Sequence, residues 1–577
     1  MKQIAPTPYK YHVFVSFSDL FPEEEVPSVI DIIKHYPRST IIQVVCTLGQ
    51  FYGDGEIERL KLFFSPENRR QYLEIEKRLN RFLSTAVFPD AQYFFSSFVT
   101  GLELLRYSYS LPPVTDEDIL PIEEFEWQLF RALLIINQNT LCRFRSKVEL
   151  KKYQLVYLNN LCYVDIGKDL DTLLFQQLIY SYFFFIFLEK TSEKTRTLLD
   201  AFQNHYSATW RQYIQIIVSL YTLLKKEGTG KLNKDLTLDK TGTLKKSVLD
   251  KISMPTTSIY KYSSDNKDDR LGNSDYRYFR EFPLIDEEGS YVLYSPSIVL
   301  GKLYNSLFFD FVAINQTLPQ KQRIGNVPQL FQEDFIQNHL LVQFTKTICR
   351  NRYHLCLEAS MENNHPKKKD NELGPPDLLI KAHKYVVLFE CKDIRLNGWI
   401  KEQKDYELII QELEGKIIGL HDNHKGIGQL AGHLKSIREG NFHWERVSPG
   451  KKVYPVLILS DPNIIQEGLY GIVSDRYEET LHNNHIRNIA ANRPLVLMSV
   501  FTLYKYANLF QKKGLAYYFE HYYRFLKVTG EKEVSFDQYM GWQSFNMKKQ
   551  IGDIIADLMK QNGSPAIFGQ FPTEDCR

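Results

Sequence analysis

Apolar residues recur at helical spacing through much of the first 225 residues. EFEWQLFRALLIINQNTL (124–141) and TLLDAFQNHYSATWRQYIQIIVSLYTLLKK (197–226) set them three and four apart, which predicts amphipathic helices. TIIQVVCTLGQFY (40–52) is rich in β-branched residues and reads as a strand. LIYSYFFFIFLEK (178–190) has about ten apolar residues, short of the roughly 20 that cross a bilayer, and reads as a buried helix. The apolar pattern fades between 226 and 275, where Gly, Ser, Lys and Asp predict a polar linker or mobile arm. FPLIDEEGSYVLYSPSIVLGKLYNSLFFDFV (282–312) then reads as a hairpin around 286–289 and a helix starting near Ser295 or Ser297, the entry into a C-terminal domain.

Beyond it, short apolar strands alternate with helices. PQLFQEDFIQNHLLVQFTKTI (328–348) is an amphipathic helix, YHLCLEAS (353–360) a strand, and ENNHPKKKDNELGP (362–375) a charged loop. DLLIKA and YVVLFECKD are two more strands. A helix over 399–420 and another from Gly426 follow, then core strands in VYPVLILSD (453–461) and PLVLMSVFTL (494–503). The expected fold class is α/β (α+β): a mostly helical region over 1–225, a linker over 226–275, and a mixed sheet flanked by helices, with a helical extension, over 276–577.

The length of 577 residues is too great for a single core. Lys+Arg number 71 against 69 Asp+Glu, so there is no overall basic footprint and any nucleic-acid surface must be local. Seven cysteines at irregular spacing, without CxxC, argue against a disulfide framework or a zinc site and fit a reducing cytoplasm. The first residues lack the apolar core of a signal peptide. GTGK (228–231) lacks the spacing of a phosphate-binding loop.

The stretch PPDLLIKAHKYVVLFECKD (375–393) carries the chemistry. Alternation puts Glu390 and Lys392 on one face of their strand and Cys391 on the other. A hairpin turning at His383-Lys384 sets Asp377 opposite residue 389 or 390. Two carboxylates and an ammonium therefore converge at one sheet edge. Carboxylates this close repel unless a cation lies between them, and a hard divalent ion, Mg²⁺ in a cell, satisfies them. The carbonyl of Cys391 is a further oxygen within reach.

Pro376-Asp377, a gap of 12 residues, then Glu390-x-Lys392 resembles the motif of the PD-(D/E)XK nuclease superfamily. The resemblance covers about residues 325–505. It implies a restriction-endonuclease-like fold for the C-terminal domain, with Asp377 and Glu390 as metal ligands and Lys392 as the catalytic lysine. Glu333 matches the acidic residue often found on the helix before the sheet, with Asp334 as the alternative. Gln429 and His433 match the glutamine-and-aromatic pair of a subset, although histidine departs from the usual tyrosine.

The implied activity is Mg²⁺-dependent hydrolysis of DNA, with Mn²⁺ able to substitute and RNA left open. No membrane is implied; a homo-oligomer or a partner defence protein is compatible. A long unfamiliar N-terminal region beside a nuclease fits prokaryotic defence against phage or foreign DNA, by association alone. Two other readings stand beside it: a catalytically silent nucleic-acid-binding scaffold, and metal-dependent chemistry on a small phosphate. Lys367, Lys368 and Lys369 could meet phosphates or simply be solvated.

Overall fold

A computed structural model describes residues 12–50, 60, 63–86, 92–109, 111, 121–141, 146–147, 149–162, 170–227, 231–233, 246–255, 277–287, 290–350, 353–364, 373–392, 394, 396–397, 400–401, 405–418, 425–461, 464–486, 491–542 and 554. The protein is mixed α/β and divides into two compact units, 1–144 with 162–327 and 549–574, and 145–161 with 328–548 and 575–577.

The first unit is largely helical, with two small sheets. Strands β1 (His12–Phe14) and β2 (Gln92–Phe94) form a parallel pair. Residues 40–50, read as a strand, belong instead to the helix Arg38–Gln50. Ile41, Ile42 and Val45 are buried along one side of it, so burial at helical spacing overrides the β-branched preference. The apolar run 178–190 is part of the helix Leu170–Thr191, whose Leu178, Ile179, Phe184, Phe185 and Leu188 are fully buried. Among the described residues this is the one helix long and apolar enough to cross a membrane, but its burial is that of a core helix. Phe185 stacks on Trp210, and Phe184 meets the edge of Phe311. The helical run 197–226 breaks at Ser207, which takes a left-handed conformation (φ 51°) between Glu193–Tyr206 and Trp210–Glu227.

The segment read as a linker contributes structure to this unit. Strands β3 (Lys231–Asn233), β4 (Ser253–Pro255), β5 (Leu284–Glu287) and β6 (Ser290–Leu293) form a four-stranded sheet in the order β3-β6-β5-β4. Val248, Leu249, Ile252 and Met254 are fully buried, while 228–230, 234–245 and 256–276 lie outside the described residues. The hairpin and helix over 282–312 therefore belong to the first unit, and the boundary falls at 327/328 rather than at 276.

The second unit is built on a five-stranded sheet: β7 (His354–Leu357), β8 (Leu378–Lys381), β9 (Tyr385–Lys392), β10 (Lys452–Leu459) and β11 (Val496–Ser499), in the order β11-β10-β9-β8-β7. Strands β7, β8 and β9 are antiparallel; β9, β10 and β11 are parallel. The three central strands carry Leu378 and Leu379, Val386–Phe389 and Val456–Leu459 fully buried, as both-faced burial requires. Before β7 runs a long helix, wound with i→i+5 bonds over Leu330–Leu341 (α1) and continuing as Val342–Cys349. The expected strand 353–360 ends at 357, and Glu358–Asn364 (α2) turns helical. Helix Ile427–Glu439 (α3) packs on β9 and β10. Helix Leu469–Asn483 (α4), which the apolar pattern did not reveal, makes the crossover that parallel β10 and β11 need.

An excursion from the first part of the chain completes this unit. Lys152–Cys162 forms a helix with Tyr157 and Leu158 fully buried. Lys151 pairs with Asp475 (2.7 Å), Asn160 donates to Glu467 (2.7 Å), and Tyr153 donates to Asp475.

Candidate metal and catalytic centre

The turn between β8 and β9 fixes the register on which the site depends. Ala382 N–H donates to Tyr385 C=O across His383-Lys384, and Leu378 then faces Phe389. One step further along, Asp377 comes opposite Glu390, as the spacing predicted. Asp377 is nearly buried, Glu390 fully so, and Lys392 is partly exposed. Asp377 Oδ2 accepts from Cys391 N–H (2.6 Å), and Lys392 Nζ donates to Glu390 Oε1 (2.5 Å). The other oxygen of Glu390, Oε2, is buried without a hydrogen bond.

A residue outside the motif joins them. Cys356 pairs with Leu379 and Leu379 with Leu388, so extending that register two residues past the ends of β7 and β8 sets Glu358, at the start of α2, in line with Asp377 and Glu390. Gln337 on α1 links this row, its Nε2 donating to Asp377 Oδ1 (2.8 Å) and Glu358 Oε2 (3.3 Å). A signal for Glu358 was present: His354, Cys356 and Glu358 alternate in YHLCLEAS, and the pairing of β7 brings them onto the face of Glu390. Glu333, exposed on α1 and one helical step before Gln337, is near enough to raise Asp377's affinity for a proton. Asp334 is raised by its own burial.

Three carboxylates, Asp377, Glu390 and Glu358, thus act on one ammonium, and their titration reflects it. Burial first, then Asp377 and Glu362, lift Glu358 to about 7. Burial, then the charges of Asp377 and Glu358, hold Glu390 well above the usual carboxylate range against the pull of Lys392. Burial likewise raises Asp377, opposed by Lys392 and the Cys391 N–H. Burial opposes the charge on Lys392, but Glu390 and Asp377 outweigh it and keep the ammonium protonated. We take Lys392 as charged, with too many carboxylates around it to ionise together unless more positive charge arrives.

Gln429 takes part in a helix cap. It stands three residues into α3, and its Oε1 accepts the N–H of Gly426 (2.9 Å), which caps the helix. His433, matched above with Gln429, is buried (1% exposed) with its ring edge-on to Phe442. The Cys391 side chain is buried and packs as a small apolar group. Lys367, Lys368 and Lys369 lie outside the described residues. No family model, curated protein or solved structure matches the chain.

Proposed function

We propose that the second unit is a divalent-metal-dependent nuclease that hydrolyses DNA phosphodiester bonds, with a restriction-endonuclease-like fold. Three antiparallel strands preceded by a helix, with a fourth strand parallel to the third, agree with the arrangement the motif implies. The observation that carries the reading is Glu390: fully buried, one oxygen on Lys392, the other without a hydrogen bond, and beside two more carboxylates. A cation preferring oxygen fits that donor set, Mg²⁺ or Mn²⁺ in its place. Asp377 and Glu390 would hold it, with Glu333 and the carbonyl of Cys391 as further oxygens. Such an ion, when bound, polarises a phosphoryl oxygen and lowers the pKa of a coordinated water. Lys392, kept charged by Glu390 and Asp377, orients the attacking water and offsets charge developing on phosphorus. Gln337 holds Asp377 and Glu358 in place through its amide.

The test is cleavage of linear, circular and single-stranded DNA, and of RNA, in Mg²⁺ by wild type, Asp377→Ala and Lys392→Ala. Both variants should remain folded and lose activity at least a hundredfold. A wild type inert on every substrate would replace the enzyme reading with that of a nucleic-acid-binding scaffold.

A further inference from the structure

We propose that the outer edge of the second unit's sheet holds a separate site for a borderline-soft divalent cation such as Zn²⁺, formed by His354, Cys356 and Glu445. His354 and Cys356 are two apart on β7, the last strand of the sheet, and so share a face. Glu445 comes from the segment after α3. One ligand atom from each lies within 4.8 Å of the other two. Around a tetrahedral zinc with bonds of about 2.0–2.3 Å, neighbouring ligand atoms stand roughly 3.3–3.6 Å apart. Here Cys356 Sγ lies 3.4 Å from Glu445 Oε2, and His354 Nε2 lies 3.6 Å from the same oxygen.

The surroundings fit a metal ligand shell. The second oxygen of Glu445, Oε1, accepts from Lys381 Nζ (2.8 Å) and from the N–H of Arg446 (2.8 Å). Those bonds aim Oε2 at Cys356 and His354, the task that outer partners perform around metal sites. Cys356 is buried while His354 is exposed, so three protein ligands would leave a fourth position toward solvent. On binding, the Cys356 thiol yields its proton to solvent as the sulfur–metal bond forms, and the metal takes the place of the S–H···O contact with Glu445. Lys381 sits opposite His354 in the sheet and limits the affinity by its charge. Soft thiolate and imidazole select Zn²⁺ over Mg²⁺. The site pins the segment after α3 to the sheet edge, two rows from the Asp377 carboxylates on the same face.

Co²⁺ titration of the full chain, followed by absorption, tests this. A thiolate-to-cobalt band in the near ultraviolet, tetrahedral bands in the visible and displacement of one equivalent by Zn²⁺ are expected. Cys356→Ser should abolish the near-ultraviolet band. His354→Ala alters an exposed residue, leaves the fold intact, and should weaken Co²⁺ binding at least tenfold. The proposal is overturned if wild type shows no thiolate band, or if the band persists unchanged in His354→Ala. Asp377→Ala should leave the band intact, which separates this site from the nuclease centre.

Discussion

Replacing Glu390 by glutamine should stabilise the metal-free protein and abolish its response to Mg²⁺. At an effective dielectric of about 20, like charges one strand apart (about 5 Å) repel by about 3 kcal/mol, and two strands apart by about 1.7 kcal/mol. Asp377 and Glu358 therefore oppose the charge on Glu390 by about 5 kcal/mol in total. Lys392, at 2.5 Å, returns a little more than that. The two contributions nearly cancel, so the cost of desolvation, several kcal/mol for a carboxylate with no exposure, decides the balance and makes Glu390 hold a proton above the usual carboxylate range. Glutamine keeps the shape and an oxygen for Lys392 while removing that cost, and Lys392 still faces Asp377. In chelator the variant should be about 1–3 kcal/mol more stable by urea unfolding. Mg²⁺ at a hundredfold excess over its Kd should add about 2.7 kcal/mol to wild type and nothing to the variant, closing or reversing the gap. A variant less stable than wild type in chelator, or equal Mg²⁺ increments in both, would refute the reasoning.

Other outcomes follow from the same geometry. Glu358 binds its proton more tightly folded (about 7) than unfolded (4.5), so the folded state takes up protons and stability without metal declines as pH rises from about 4.5 to 7; Glu358→Gln should flatten that decline in a pH series of thermal melts. Gly468 has φ +89°, and a Cβ there would collide with the Tyr153 carbonyl oxygen, so Gly468→Ala should cost about 3 kcal/mol or more in unfolding free energy. Asp475 is held near 2 by Lys151, Lys532 and Tyr153 against burial; its stabilisation is complete above about 4 and lost as pH falls toward 2, and Asp475→Asn should remove that acid sensitivity in melting experiments. A chain of residues 328–548 alone should be poorly soluble, and a peptide of 145–162 added in trans should rescue it, scored by gel filtration.

The sequence exposed what short-range spacing controls. Asp377 meets Glu390 because a tight turn leaves its strands a single register, and alternation then settles Lys392. Glu358 went unread because its place depends on how β7 pairs with β8, which no motif spacing encodes. Gln429 matched a spacing, yet three residues into a helix a glutamine oxygen also reaches the capping N–H, and here it does. Residues 40–50 misled because β-branched side chains favour strands only while no larger burial opposes them. The pairing of Lys151 with Asp475 leaves no local trace, since 324 residues separate them.

That pairing bears on how the chain is made. A ribosome adding about 5–20 residues per second needs roughly 15–60 s to progress from the helix Lys152–Cys162 to α4. Through that interval Tyr157 and Leu158, fully buried at the end, wait without the surface that covers them. The first unit's residues 162–327 are synthesised in the meantime, as an insertion within the second. Assembly of the sheet and its carboxylates is thus timed by the last partner to be translated, and a nascent chain stalled before α4 carries the Asp-Glu-Lys motif without the finished unit around it.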